Sequence, residues 1–176
     1  MQNDGNKSQP LNWYALYTRS RAEKKVFEQF VTKGINAYLP IRKELKQWSD
    51  RKKWVETPAI NSYIFAQFKA DNLKVAYEVA GVVAFVNDKG KPAIIPDYQM
   101  EAMRLTIDNR LSFTIEQSTT RKGDWVKMTS GPLTGIEGQI TEIRGKNQFC
   151  IEISTIGFSL VVETENATFE KINKQD

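Results

Sequence analysis

WYALYTRSRAEKKV, residues 13–26, decides how the first half of the chain folds. WYALYT (13–18) is aromatic and apolar enough to form a buried strand, because such side chains pack well on a pleated surface. SRAE follows, with Ser20 three residues ahead of Glu23. That spacing predicts a capping box, in which the serine hydroxyl and the glutamate carboxylate each satisfy a backbone N–H at a helix start. Ala22, Val26, Phe27, Phe30 and Val31 then recur at three- and four-residue spacing as one apolar stripe, while Arg21, Lys24, Lys25, Glu28 and Gln29 face away. Gly34 should end the helix, since glycine takes the left-handed C′ conformation without a Cβ clash.

Working outward, INAYLPI (35–41) leads into RKELKQWSDRKKW (42–54), which carries six basic side chains, two acidic ones and two tryptophans. Its strand-like flanks and central WSDR predict a hairpin turning near Ser49-Asp50 and projecting from the sheet. SYIFAQF (62–68) alternates as a strand, a short helix is expected near 71–79, VVAFVN (82–87) reads as a strand, and a helix should run from Asp97 to Ile107. Strands interleaved with helices give an α+β sandwich, its helices packed on an antiparallel sheet.

The second half has a different pattern. KGDWVKM (122–128), EGQITEI (137–143), QFCIEIS (148–154) and LVVETE (160–165) are short alternating strands between Gly, Pro and Asn turns, which makes a small β-barrel. TIEQSTTRKG (114–123) lies between the halves and is polar and poor in bulky apolar groups, as linkers are. The sequence therefore divides into a disordered tail over 1–11, a domain over 12–112, a flexible linker over 113–121 and a second domain over 122–174.

Composition narrows the function. With 176 residues and 40% apolar content the chain can bury a real core. No apolar run approaches the roughly 20 residues that cross a bilayer, and the opening MQNDGNKSQP lacks the apolar stretch of a secretory signal. A soluble, cytoplasmic protein with no membrane partner is expected. The lone Cys150 cannot form an internal disulfide and fits a reducing compartment. Histidine is absent, which removes the imidazole base and any triad built on one; with a single cysteine it also removes the usual zinc clusters. Gly131, Gly135 and Gly138 miss the dinucleotide-binding spacing, and there is no phosphate-binding P-loop. The expectation is a protein that is not an enzyme, with no catalytic residue, metal or cofactor. Residues 1–112 hold 18 Lys/Arg against 12 Asp/Glu, whereas 113–176 hold 7 against 9, so the first half is the one to meet phosphate.

WYALYTRSRAEKKV opening an α/β domain, GVVAFV (81–86) followed by KPAIIP (91–96), and KGDWVKMTSGPLTGIEGQI (122–140) in a β-barrel together resemble the NusG-type transcription elongation factors. These carry an N-terminal NGN domain and a C-terminal KOW domain. INSY (60–63) stands where the housekeeping members read like F-P-G-Y; that and KPAIIP are similar to specialised paralogues of the RfaH type. KQWSDRKK (46–53) resembles the UpxY antiterminators of capsular polysaccharide operons. The resemblance implies a factor, acting as a monomer, that sits on the clamp helices of the RNA polymerase largest subunit. There it suppresses pausing and termination in specific long operons by favouring the processive state of its partner. A translation-associated KOW protein, or a general housekeeping NusG, is the alternative.

The resemblance also points to residues. Tyr63 and Phe65 alternate on the central strand and share a face, Tyr17 matches a family aromatic near them, and Met100 and Met103 could line the same polymerase-binding depression. Plain core packing is the alternative for each. Arg19, Arg21, Lys24 and Lys25 cluster at the first helix, a neighbourhood that touches the non-template DNA strand in RfaH-like proteins; nascent RNA is the other nucleic-acid partner open to it. In the basic stretch Arg51, Lys52 and Lys53 are candidates for phosphate, with Trp48 or Trp54 stacking on a base, against a merely solvated hairpin. In the KOW domain Ile156 and Phe158 flank Gly157 in a loop that in the family meets a small-subunit ribosomal protein or Rho. Some RfaH relatives refold this domain into helices, but the alternating β-branched pattern here favours the barrel.

Overall fold

The computed structural model describes residues 9–118, 123–143, 146–164 and 167–173. Residues 1–8 of the tail expected over 1–11, and residues 119–121 of the expected linker, lie outside the described residues, while Leu11 at the end of that expected tail already begins the first strand. Along the chain come β1 (Leu11–Thr18), α1 (Glu23–Thr32), β2 (Ala37–Tyr38), β3 (Ile41–Gln47), β4 (Lys52–Pro58) and β5 (Tyr63–Lys69). A 3-10 helix (Leu73–Glu78) precedes β6 (Val82–Phe85), β7 (Asn87–Asp88), β8 (Lys91–Pro92), β9 (Ile94–Ile95) and α2 (Asp97–Asp108). The last strands are β10 (Phe113–Gln117), β11 (Asp124–Met128), β12 (Glu137–Ile143), β13 (Lys146–Ile153), β14 (Phe158–Glu163) and β15 (Phe169–Lys171). The result is mixed α+β, with antiparallel sheets and few helices.

The chain forms two compact units whose division does not follow the sequence boundary at 112: one holds residues 1–39 and 62–94, the other 40–61 and 95–176. In the first, strands run β2-β5-β1-β6, and β1 lies antiparallel to β5 with Leu16 opposite Ile64 and Tyr17 opposite Tyr63. Tyr14, Leu16, Ile64, Ala66, Phe68 and Phe85 cover one face and pack against Val26 and Phe30 of α1. The stripe expected on α1 holds except at Val31, which is 54% exposed. Val31 immediately follows buried Phe30, and one residue is about 100° of helix rotation, enough to turn it off the packed side. Gly34 ends the helix as expected, at φ 71°, with its N–H donating to Val31 O and Ile35 N–H donating to Phe30 O.

The second unit holds the β3–β4 hairpin, α2 and a six-stranded antiparallel sheet in the order β10-β14-β13-β12-β11-β15. Val126, Met128, Phe149, Ile151, Ile153, Leu160 and Val162 make its core. Gly138 is required by close approach, because a Cβ there would sit 2.6 Å from the Cys150 carbonyl oxygen and 2.9 Å from the Phe149 ring. The linker expected over 113–121 is corrected in its first part. Residues Phe113–Gln117 form β10, paired with β14 from Phe113 opposite Val162 to Gln117 opposite Phe158. Phe113 and Ile115 are half-buried while Thr114 and Glu116 are exposed, so even this polar stretch keeps the two-residue period of a half-buried strand.

Candidate docking and nucleic-acid surfaces

Tyr17 and Tyr63 pair across β1 and β5 at the ends of both strands. Their ring centroids are 4.8 Å apart at 53°, and the Tyr63 hydroxyl donates to the Tyr17 hydroxyl at 3.1 Å. Tyr17 is 38% exposed and Tyr63 half-buried, so the pair forms a ledge with an apolar body and a polar tip. Burial, followed by the Tyr17 hydrogen bond, holds the Tyr63 phenol well above its usual titration range, and it stays neutral.

Three other residues expected on this surface are corrected to core. Phe65 is 0%, Met100 1% and Met103 0% exposed. Alternation on β5 does place Phe65 on the Tyr63 face, but period alone reports which face a residue takes and not how far neighbouring elements cover it.

Immediately beside the ledge lies a basic corner. The capping box does not form: α1 begins with Ala22 at its N-cap position and no side-chain cap. Arg21 adopts the left-handed region at φ 62° and the helix starts only after Ala22, which leaves Ser20 two residues ahead of the N-cap position the box requires. Glu23 is instead 5% exposed, and its Oε1 accepts the Ser62 N–H at 2.7 Å. Thr18 N–H donates to Ser62 O at 2.9 Å and Arg19 N–H to Gly81 O at 2.8 Å. These bonds fix the corner from which Arg19, Arg21, Lys24 and Lys25 all project into solvent. Arg19, Arg21 and Lys25 make no ion pair among the described residues.

The hairpin turns where expected. Trp48 N–H donates to Arg51 O at 2.8 Å across Ser49-Asp50, and the register sets Lys46 opposite Lys53, Leu45 opposite Trp54 and Lys43 opposite Glu56. Arg51 lies 3.8 Å from Asp50, so its charge is partly answered within the turn, and Lys52 and Lys53 point to opposite faces. Lys46 was not singled out from sequence, although counting back from the turn pairs it with Lys53. Near Trp54 is a hollow of about 480 Å³ lined by Lys43, Lys53, Trp54, Val55 and Glu56.

In the barrel, Ile156 is corrected from an exposed loop residue to a buried one at 7% exposure. It closes a 3-10 turn (Ser154–Ile156), and Gly157 at φ 69° then reverses the chain into β14, folding Ile156 inward. Phe158 stays half-buried at the start of β14. Among the described residues no cluster of three or more acidic, cysteine or histidine side chains could hold a metal, and no helix is long and apolar enough to cross a membrane.

Comparison with known proteins agrees with this architecture. The family model described as transcription termination factor nusG matches residues 11–104. The transcription termination/antitermination protein NusG of Rickettsia felis is 22% identical over 178 residues, covering 93% of this chain and 90% of that protein. The protein of the same name from Rickettsia conorii is 23% identical over 182 residues, again covering 93% and 90%. A solved structure described as domain interaction in Thermotoga maritima NusG shares the fold at a TM-score of 0.54 and 23% identity, covering 93% of this chain and 98% of that one. With the family model spanning more than half of its length, the chain belongs to the NusG family of transcription termination and antitermination factors.

Proposed function

We propose that this chain is an elongation and antitermination factor that docks through the Tyr17–Tyr63 ledge onto the clamp helices of the RNA polymerase largest subunit. Arg19, Arg21, Lys24 and Lys25 then lie beside the non-template DNA strand. The observation that carries the reading is adjacency: Thr18 and Arg19 follow Tyr17 directly, and Ser62, which precedes Tyr63, is bonded to both Thr18 and Glu23. An aromatic anchor and a cationic rim fixed to one corner suit a partner that presents an apolar helix tip next to nucleic acid. By binding the processive form of polymerase more tightly than the paused form, such a factor shifts the equilibrium without catalysing a reaction. The departures at INSY and the basic hairpin support a specialised role in long operons, capsular polysaccharide operons among them. Half-buried Phe158 is the remaining candidate for a contact of the barrel with a ribosomal protein or Rho.

A single-round transcription assay on a template carrying a strong pause and a terminator tests this. Added protein should shorten the pause and raise read-through, and Tyr17→Ala/Tyr63→Ala should abolish both effects. Unchanged pausing with the unmutated protein on housekeeping and capsule-operon templates alike would overturn it.

A further inference from the structure

The hairpin has a composition that its own stability does not explain. Lys46 stands directly opposite Lys53, and like charges across an antiparallel pair destabilise it. Neither lysine, nor Lys52, has an ion pair among the described residues, although Lys43 pairs with Glu56 at 3.3 Å and Arg42 with Glu44 at 2.6 Å nearer the hairpin base. Unanswered positive charge is therefore concentrated toward the tip. Trp54 is 66% exposed although it faces Leu45, itself 48% exposed, and Trp48 at the turn is 55% exposed. Leu45 is the residue opposite Trp54 in the register, and much of the indole is left in solvent.

We infer that the hairpin binds an unpaired nucleic-acid strand, with a base stacked on Trp54, one flanking phosphate held by Lys52 on the same face and another by Lys53 at the hollow beside the ring. Lys52 and Trp54 are two residues apart on one strand and so share a face, about 7 Å along it. That places an ammonium beside a phosphate flanking a base stacked on the indole. Lys53 and Lys43 border the hollow next to the same ring, supplying cations at the base's margin. A duplex hides its base faces, whereas an unpaired strand offers a π-face at every nucleotide, which is what an exposed tryptophan can use.

The test is fluorescence anisotropy of the full chain with a labelled oligo-dT of about 15 nucleotides, a length within the usual span of single-strand sites. No polymerase is present, so failure here leaves the docking proposal standing. Lys52→Gln/Lys53→Gln should make the slope of log affinity against log salt shallower by about 1.4, at about 0.7 per phosphate contact. Trp54→Ala should weaken binding about 5- to 100-fold with the slope kept, and Trp54→Phe should restore most of the loss. The inference is overturned if Trp54→Ala binds like the parent, if the lysine double variant keeps the parent slope, or if duplex DNA of equal length binds as tightly as oligo-dT; oligo-rU in the same assay tells the two unpaired backbones apart.

Discussion

The Glu23 carboxylate accepts the Ser62 backbone N–H at 2.7 Å, joining the first turn of α1 to the residue that enters β5 across 39 positions of sequence. Glu23→Ala leaves that amide without its partner in a part-buried site and should cost about 1–3 kcal/mol of stability. Glu23→Gln, which keeps an acceptor oxygen, should lose less. Urea unfolding of the two variants measures the difference, and equal losses would assign the effect to packing alone.

Tyr63 gives a pH signature. A free tyrosine phenol titrates near pH about 10. Burial and the Tyr17 hydrogen bond raise the folded value, so the fold favours the neutral phenol. Its contribution is complete below the unfolded value and drains away as pH climbs through the folded one. Thermal melts should therefore lose stability above pH about 10, and Tyr63→Phe should flatten that decline while removing one late-ionising group from the ultraviolet titration. A parent and variant with superimposable alkaline profiles would contradict this.

Gly138→Ala should be among the most damaging single-methyl additions in the barrel. Its Cβ meets a backbone carbonyl oxygen at 2.6 Å, and backbone cannot swing aside as a flexible side chain can. A loss of about 1–3 kcal/mol is expected in thermal or denaturant unfolding.

Much of this was legible from sequence. The helix over 23–32, its stop at Gly34 and the hairpin turn at Ser49-Asp50 follow from local chemistry: spacing, a left-handed glycine and turn residues. What failed depends on distant partners. Ser20-x-x-Glu23 carries a local capping signal, yet the carboxylate goes to Ser62. Tyr63 and Phe65 look alike in an alternating strand, and only coverage by other elements separates the half-exposed ring from the sealed one. Ile156 follows the same rule at a turn, where Gly157 decides which way the side chain folds. Residues 113–117 read as linker because their composition is polar, while their place on the β14 edge is a non-local pairing.

That edge pairing has its own test. Hydrogen exchange at 113–117 should show protected amides alternating along β10, since only the inward-facing groups of an edge strand are bonded. Uniformly fast exchange across these five residues would restore the linker reading.

Titration of labelled core RNA polymerase with the full chain tests the central claim most directly. Saturable binding is expected, and Tyr17→Ala/Tyr63→Ala should weaken it by at least about 2 kcal/mol, roughly thirtyfold, while far-ultraviolet circular dichroism stays that of the parent. Full affinity in a folded double variant would contradict docking through the tyrosine ledge.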